Sequence, residues 1–336
     1  MSFRSLDEFR NLLTNCTAHD AKILGQAEER NAQLTKPPGA LGRLEDIALW
    51  YCSWRGSPKA RVSSPQVIVF AGNHGVTAQG ISAFPAEVTE QMVLNFRAGG
   101  AAINQLSSCF GAKLDVHALD LDHPTQDFTQ GPAMSEDDCV AALRTGWESV
   151  DPNADLLVVG EMGIGNTTSA AAIALALFGG RGMDWAGRGT GLDDKGVELK
   201  ASVIEQGISQ NPNASADGLE ALRCLGGREI AAMAGAMVRG RDLSIPVILD
   251  GFICCSAAAC LNAVSERALD HTISGHESAE QAHKNMLAHL DKSPLLSLGL
   301  RLGEGSGAAL AIAIVKAALD CHSGMSTFAE AGVAAG

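Results

Sequence analysis

Aromatic side chains and positive charge are both scarce in this chain of 336 residues. Phe, Trp and Tyr make up 4% of it, whereas glycine occurs 37 times, so small side chains and closely packed helices must build the core. Lys and Arg number 25 against 38 Asp and Glu, and the net charge is −13. The basic stripe of a nucleic-acid-binding surface is therefore missing. An anionic ligand would have to bind through backbone N–H groups and a few well-placed cations.

Long hydrophobic runs are also missing. The longest wholly apolar run, AAAIALALF, is far too short to cross a bilayer, and the first residues, MSFRSLDEFRNLL, lack the apolar segment of a signal peptide. Nine cysteines are an odd number, and they lie in apolar runs such as GFICCSAAAC without regular spacing. This usage is typical of reduced, buried thiols. We therefore predict a soluble, cytoplasmic protein with no membrane contact.

From Gln66 onward, short β-branched runs alternate with longer amphipathic segments. The pairs are QVIVF with EVTEQMVLNF, KLDVHALD with DDCVAALRTGW, DLLVVG with TTSAAAIALALF, and IPVILD with ICCSAAACLNAV. Strand–helix alternation with nearly continuous apolar strands predicts an α/β fold, with a mostly parallel sheet and helices on both faces. The first sixty or so residues are predicted to be helical, and GAALAIAIVKAAL, which is apolar all round, is predicted to be a central helix.

Glycine and polar residues collect in the loops that follow the predicted strands. AGNHG follows VIVF, EMGIGNTT follows LLVVG, GF follows VILD, and GHESAE follows HTIS. In open parallel sheets, ligands bind beyond the carboxyl ends of the strands. The sequence therefore predicts an active site at that edge of the sheet.

The loop EMGIGNTT is the strongest candidate for an anion site. Gly163 and Gly165 permit a tight turn, and Asn166, Thr167 and Thr168 can cap the next helix, whose free N–H groups and dipole suit a phosphate monoester. An ordinary capped turn would use the same residues. The run is not a Walker A loop, because no Gly-Lys-Ser/Thr follows. It is a weak dinucleotide fingerprint, because Thr168 stands at the third glycine position.

A second glycine-rich loop, GRGTGLDDKG, runs over residues 187–196. It opens with Gly187 and carries Lys195, which could act as a point-charge clamp on a phosphate group. A simple surface turn is the alternative interpretation of this loop.

The segment GHESAEQAHK is predicted to form a helix that carries His276, Glu280 and His283 at helical spacing. The spacing of two histidines four residues apart, which zinc-binding helices use, is absent, so we predict no metal site. Ser278, near the start of that helix, is a candidate for the N-cap or for binding a phosphate group.

The run RLGEGSGAALA holds Glu304 among glycines at 303, 305 and 307. Glycines let a ligand approach the backbone closely and leave the carboxylate without packing partners. A carboxylate that only complements a helix dipole is the alternative. Glu161 ends another predicted strand, and two acids at one sheet edge indicate proton transfer.

Five motifs taken together resemble those of one enzyme family. KPPGALGRLE, the HGV of residues 74–76, EMGIGNTT, LDGF and RLGEGSGAALA occur in this order and at the expected distances. Over nearly its whole length the chain resembles the nicotinate-nucleotide:dimethylbenzimidazole phosphoribosyltransferases, enzymes of cobalamin nucleotide-loop assembly. The resemblance implies transfer of 5-phosphoribose from nicotinate mononucleotide to 5,6-dimethylbenzimidazole, with inversion at the anomeric carbon. The products are α-ribazole 5′-phosphate and nicotinate.

The resemblance also implies roles for individual residues. Glu304 would be the general base that takes a proton from the benzimidazole, and Glu161 would assist or orient. The residues implied in donor and phosphate binding are Gly163, Gly165, Asn166, Thr167, Thr168, Gly187, Lys195 and Ser278. Those implied in lining the base pocket are Phe84, Met92 and Leu302.

The architecture implied by the resemblance is Rossmann-like, with three layers. Residues 61–320 would form a large α/β catalytic domain, and residues 1–60 with 321–336 a small helical domain. A homodimer is expected, with small-molecule substrates and with neither a metal nor an organic cofactor.

Two positions depart from the family pattern. Asn73 stands where the family often has Asp, and Phe84 stands where some members have a small polar residue. A bulkier, more apolar wall at Phe84 could favour other benzimidazoles, purines or phenolics. Two alternatives to a transferase stay open from the residues alone: a nucleotide-binding oxidoreductase that uses EMGIGNTT as its pyrophosphate turn, and a non-catalytic nucleotide sensor on the same fold.

Overall fold

The computed structural model describes residues 3–334. Six strands form its sheet: β1 (Pro65–Ala71), β2 (Lys113–Ala118), β3 (Leu156–Met162), β4 (Val247–Leu249), β5 (Thr272–His276) and β6 (Pro294–Leu296). The helices are α1 (Leu6–Thr14), α2 (Ala21–Gln33), α3 (Arg43–Arg55), α4 (Glu87–Arg97), α5 (Ala102–Phe110), α6 (Glu136–Ser149), α7 (Asn166–Phe178), α8 (Gly182–Trp185), α9 (Asp194–Gln210), α10 (Gly218–Leu225), α11 (Arg228–Asp242), α12 (Phe252–Val264), α13 (Gln281–His289), α14 (Ser306–Gly324) and α15 (Phe328–Ala331).

The sheet is parallel throughout, with the strand order β2-β1-β3-β4-β5-β6. The predicted α/β fold with a parallel sheet is confirmed. The direction of strand progression reverses between β1 and β3, and open parallel sheets bind ligands at the carboxyl edge near such a reversal. The loops AGNHG and EMGIGNTT pack against each other at this edge, where the Gly72 N–H donates to the carbonyl of Met162 at 3.0 Å.

Each face of the sheet buries its own layer of helices. In β1, Ile68 and Phe70 pack with α6, α7, α11 and α12, while Val67 and Val69 pack with α3, α5 and α14. Successive side chains of a strand point to opposite faces, so a strand covered on both sides is apolar at nearly every position. The result is three layers, which is why QVIVF and DLLVVG lack polar alternation.

Helix α14 lies in the middle of one helical layer, as its apolar sequence predicts. Of the helices within residues 3–334, it is the one that is long and apolar enough to cross a membrane by length and composition. Half of its apolar stretch is buried inside the fold, where it packs against the sheet, α3 and α5. Its hydrophobicity is that of a core helix.

Helix α2 is tied to the segment that follows α14. The Arg30 guanidinium donates to the carbonyl groups of His322, Ser323 and Met325 at 3.0, 3.3 and 2.8 Å, and Leu34 forms an antiparallel bridge with Thr327. These contacts fasten α2 to the C-terminal end of α14.

Helix α1 packs elsewhere, on the opposite side of the sheet against α12. The division into residues 1–60 with 321–336 and residues 61–320 stays a prediction, and residues 335–336 lie outside the described part of the chain.

Candidate active site

A cavity of about 300 Å³ opens at the carboxyl edge of the sheet, beyond the ends of β3, β4 and β5. The structure brings together many of the predicted site residues here: Phe84, Glu161, Gly163, Asn166, Thr167, Ser278 and Leu302 line the cavity. Lining residues to which the sequence interpretation gave no role in this site include Met162, Asp250, His276 and Arg301. The predicted residues absent from its lining are Met92, Gly165, Thr168, Gly187, Lys195 and Glu304.

The loop that begins at Gly163 turns directly into α7. Gly165 has a φ of 94° and is the N-cap, and no side chain caps the helix. The expected capping by Asn166, Thr167 and Thr168 is wrong, because all three already lie inside the first helical turn. The Asn166 amide instead donates to the Glu161 carboxylate, and Thr168 is fully buried. The N-terminus of α7 therefore meets the cavity without a side-chain cap, as an anion-binding helix end requires.

The cation beside this loop is Lys200, and it is not Lys195. Asp193 accepts from the Gly196 N–H at 2.8 Å and starts α9 there, which places Lys195 in the exposed first turn. Lys200 is buried at 1% exposure, and its Nζ donates to Thr167 Oγ1 at 3.1 Å and to the carbonyl of Gly187 at 3.0 Å. The prediction of a loop at Lys195 is thus wrong, because the N-cap starts the helix earlier.

Burial shapes the charge of this lysine. It lowers the pKa of Lys200 to about 8, and the nearby Glu280 carboxylate partly opposes that fall. A buried ammonium group with a neutral hydroxyl and a carbonyl as its partners gains strongly from a bound anion. Gly187, which lines a neighbouring cavity of about 790 Å³, therefore belongs to the anion end of the site through its carbonyl group.

Glu161 and Glu304 are neighbours at the end of β3. The Glu304 N–H donates to the carbonyl of Glu161 at 3.2 Å. Gly303 lies on the cavity wall, whereas the Glu304 side chain is 4% exposed behind it, and its Oε2 has no hydrogen-bond partner among the described residues. The backbone N–H of Ile103, at the start of α5, lies against the Glu304 carboxylate. The two acids share one edge, as expected, but only Glu161 faces the described cavity.

The two acids differ in protonation. Burial raises the pKa of Glu161 to about 8, and the carboxylates of Glu229, Asp250 and Glu304 add to the rise, which the Asn166 amide opposes. Burial raises the pKa of Glu304 to about 6, with the Ile103 N–H opposing it. At neutral pH Glu161 is therefore mainly protonated and Glu304 mainly ionised. A pair of carboxyl groups separated in this way can divide the roles of acid and base.

Glu304 has a left-handed backbone. Its φ is 64°, between Gly303 at 81° and Gly305 at 80°. A residue with a side chain in this conformation costs about 1–2 kcal/mol, and such strain clusters at functional sites. Glutamate thus occupies a left-handed position of the kind that glycine fills on either side of it. Because glycine would cost less there, the Glu304 side chain is kept for a function.

We expect Glu304→Gly to raise the melting temperature at pH 7 by about 2–4 °C. The substitution relieves the left-handed strain and removes a buried carboxylate that folding disfavours above its raised pKa. Part of the gain is offset by the flexibility of glycine in the unfolded chain. Asp291→Gly is the matched control, since Asp291 is exposed with a φ of 51° and carries the backbone effect alone. A melting temperature below that of wild type would contradict this account.

The expected helix over GHESAEQAHK is wrong in its first half. His276 ends β5, and α13 begins only at Gln281, with Glu280 as its N-cap. The apolar strand before His276 continues one pairing further than the sequence suggested, because His276 pairs with Leu296 of β6. Within residues 3–334 no group of three His, Cys, Asp or Glu side chains is arranged to hold a metal ion.

Ser278 lies in the turn between β5 and α13. Its Oγ accepts from the Glu280 N–H at 3.2 Å, and its N–H donates to His283 Nδ1 at 2.8 Å. Ser278 therefore fixes the turn before the helix and is not the N-cap, and it still faces the cavity.

Asp250 and His276 form a second polar pair on the cavity wall. Asp250 Oδ1 accepts from the Ala308 N–H at 2.9 Å, in the first turn of α14, and lies 3.4 Å from His276 Nε2. The carboxylate thus complements the N-terminal dipole of α14 directly behind Glu304.

The residues predicted for the base pocket are only partly assembled. Phe84 and Leu302 line the cavity and are 49% and 57% exposed. Met92 is half-buried and packs in the layer that contains α14. Asn73 donates from its side chain to the carbonyl of Leu121 at 3.0 Å, a bond that an ionised Asp could not make.

Comparison with known proteins identifies the family. A phosphoribosyltransferase family model matches residues 16–333, which is nearly the whole chain. The chain belongs to the phosphoribosyltransferase family. The resemblance inferred from the five motifs is confirmed.

Its curated relatives in this family share much of the sequence. The chain is 67% identical over 332 residues to the nicotinate-nucleotide–dimethylbenzimidazole phosphoribosyltransferase of Ruegeria sp. (strain TM1040), covering 99% of this chain and 98% of that protein. It is 68% identical over 331 residues to the enzyme of the same name from Ruegeria pomeroyi, covering 98% of each. Among solved structures, CobT from Thermus thermophilus superimposes with a TM-score of 0.87 at 38% identity, covering 94% of this chain and 100% of that one.

Proposed function

We propose that this phosphoribosyltransferase transfers 5-phosphoribose from nicotinate mononucleotide to 5,6-dimethylbenzimidazole in cobalamin synthesis. The names of its relatives at 67–68% identity give the reaction. The observation in the structure that carries the proposal is the cavity beyond β3: Glu161 and the first turn of α7 line it, the buried Lys200 contacts its wall through Thr167, and Glu304 follows Gly303 of the wall with a lower pKa than Glu161. An anion end and an acid–base end are what a nucleotide-to-base transfer requires.

The donor phosphate binds at the start of α7 in this proposal. Lys200 and Thr167 supply a charged and a neutral donor at this end of the helix. The N–H groups of Ile164, Asn166 and Thr168 are already bonded within the protein, so the backbone contribution comes from the other residues of the loop over residues 163–168. Ser278 faces the same cavity from the other side. Lys200 replaces Lys195 as the proposed clamp, since Lys200 donates to Thr167 of the cavity wall whereas Lys195 is exposed.

The chemistry of the donor explains how the leaving group departs. Nicotinate attached to ribose has a positively charged pyridinium nitrogen. When the C–N bond breaks, this nitrogen takes the electron pair and becomes neutral, and nicotinate leaves. One nitrogen of the benzimidazole forms the new bond at the anomeric carbon, on the opposite face. Positioning the two bound molecules for this in-line attack supplies much of the rate.

Glu304 is proposed as the general base. As the benzimidazole alkylates, its remaining N–H becomes more acidic, and a carboxylate of ordinary basicity can accept that proton. The base end lies where Gly303, Leu302 and Phe84 form the wall, one residue from Glu304. General-base assistance of this kind contributes typically about 10²–10⁴-fold.

The direct test is product formation. Purified protein incubated with nicotinate mononucleotide and 5,6-dimethylbenzimidazole should release nicotinate and α-ribazole 5′-phosphate in equal amounts. A dinucleotide oxidoreductase would instead bind a dinucleotide cofactor tightly and transfer hydride, and a sensor would bind the donor without turnover. Absence of product at every substrate concentration would overturn the proposal.

A homodimer in the cytoplasm also belongs to this proposal. Large apolar side chains are exposed around the cavity mouth and on α4, namely Phe84, Leu94, Leu298 and Leu302. A second copy of the chain would shield such side chains from water. Sedimentation equilibrium should give about twice the chain mass of 34.8 kDa, and a single-chain mass at micromolar concentration would contradict it.

A further inference from the structure

Beneath the anion loop lies a fully buried chain of three polar side chains. Ser169, in the first turns of α7, has its Oγ 2.9 Å from His74 Nδ1. His74, in the loop after β1, has its Nε2 2.6 Å from Glu229 Oε1. Glu229 lies in the first turn of α11, and all three side chains are at most 1% exposed. Three separate elements therefore meet through one imidazole.

Glycines make room for this network. A Cβ atom at Gly163 would lie 3.3 Å from Glu229 Oε1, and one at Gly227 would lie 2.8 Å from Glu229 Oε2. Gly72 approaches the same carboxylate still more closely. Backbone thus closes around Glu229, and its Oε2 has no hydrogen-bond partner within residues 3–334. A buried carboxylate oxygen left unpaired is destabilising, so packing alone does not explain it.

The order Ser–His–Glu is that of a hydrolase triad, but the geometry excludes nucleophilic catalysis. Ser169 is 0% exposed and does not line the cavity, so no substrate reaches its hydroxyl. The imidazole is enclosed in the same way. The network acts on the site through its neighbours.

Its neighbour is Glu161. A Cβ atom placed on Gly163 would lie 3.1 Å from Asn166 Nδ2 and 3.3 Å from Glu229 Oε1. Gly163 alone therefore stands between the Asn166 amide and the Glu229 carboxyl group. Asn166 in turn donates to the Glu161 carboxyl group. Glu229 is therefore next to the loop that forms the cavity floor, and close to the acid that faces the cavity.

We propose that Glu229 is a positioning residue of the transferase: it fixes the loop after β3 through His74 and Ser169, and its carboxyl group, placed beside the Asn166–Glu161 pair, controls which acid at the cavity holds a proton. This inference rests on the proposed function of the cavity. A protonated Glu161 offers an O–H donor to the donor nucleotide, whose phosphate and carboxylate present only acceptors. An ionised Glu161 would offer none.

The charges that surround Glu161 support this role. Glu229 on α11, Asp250 after β4 and Glu304 before α14 are all carboxylates that raise its pKa, and Glu229 has the largest effect after burial. The Asn166 amide opposes them. Carboxylates this close disfavour one another's ionised form, and a proton on Glu161 leaves Glu304 free to ionise.

The test is the pH dependence of kcat/KM in Glu229→Gln, which keeps the size of the side chain and removes its charge. In wild type, kcat/KM for the donor should fall as pH rises through about 8, the pKa of Glu161. In the variant this alkaline limb should move to lower pH by about one unit. Nicotinate riboside is the donor to use, because it has no phosphate and so does not report the titration of Lys200.

Two further variants separate charge from position. Glu266→Gln removes an exposed carboxylate elsewhere and should leave the alkaline limb unmoved. Ser169→Ala breaks the contact with His74 but keeps the charge of Glu229, so it should raise KM for nicotinate mononucleotide with the limb unmoved. An unchanged limb in Glu229→Gln would overturn the role of the charge, and an unchanged KM in Ser169→Ala would overturn the role in positioning.

A measurement on wild type keeps the inference testable if a variant does not fold. Infrared spectroscopy at pH 7 should show the C=O stretch of a protonated carboxylic acid that is missing in Glu161→Gln. Absence of that band from wild type would overturn the inference. If the wild-type protein forms no α-ribazole phosphate, the proposed function is wrong. If the wild type turns over normally and the alkaline limb of Glu229→Gln does not move, only the role of Glu229 is wrong.

Discussion

Glu304→Gln is expected to lower kcat by at least about a hundredfold while KM for nicotinate mononucleotide changes little. The amide keeps the size and hydrogen-bonding reach of the side chain but cannot accept a proton from the benzimidazole. Donor binding depends on the anion end of the cavity, which the substitution leaves intact. Steady-state kinetics with each substrate varied in turn gives the two parameters.

The pH profile provides a second readout of the same variant. Glu304 acts in its ionised form, and burial raises its pKa to about 6. Wild-type kcat should therefore decline as pH falls through about 6, and the residual rate of Glu304→Gln should lack that acid limb.

Asp291→Asn is the matched control, because Asp291 is an exposed acid with the same left-handed backbone and lies after α13, not beside β3. It should keep the wild-type kcat. Normal turnover by Glu304→Gln would reject Glu304 as the base.

The sheet could be predicted from the sequence because a strand buried on both faces has to be apolar along nearly all of its length. VIVF and LLVVG satisfy that condition and lie in β1 and β3, and the buried polar residues Gln66 and Glu161 stand near the strand ends. Strand β6 (Pro294–Leu296) was missed because it is short, begins with proline and is only half-buried at the edge of the sheet. Helix α11 was missed as well, although REIAAMAGAMVRGRD is almost wholly buried. Its many small residues give weak helical periodicity.

The site was predictable where function follows a strand end, and unpredictable where it depends on distant contacts. Glu161 and Gly163 follow β3 directly, so their place in the cavity followed from the sheet. The glycines around Glu304 were visible in the sequence, but its left-handed backbone and the bond from its N–H to the carbonyl of Glu161 were not. His74 and Glu229 are 155 residues apart, and only the fold brings them together.

The position of Lys200 could not be predicted either, because it depends on where α9 begins. Lys195 was chosen because it stands in a glycine-rich loop, where a flexible cation could reach a phosphate. Asp193 converts that loop into the first turn of α9, and the helix then carries Lys200 inward to Thr167. A helical lysine at a buried position is the signal that would have found it.

Replacing Lys200 with Met is expected to raise KM for nicotinate mononucleotide by about a hundredfold, because losing one member of a buried charge pair costs about 2–5 kcal/mol. Methionine fills a similar volume without charge, so the core around α9 and α7 is preserved. The rate with nicotinate riboside, which has no phosphate, should stay nearly the same. Lys195→Met is the matched control and should leave both donors unaffected, because that lysine is exposed in the first turn of α9. Equal losses with the two donors would mean that Lys200 serves the fold, through Thr167 and the carbonyl of Gly187, and not the phosphate.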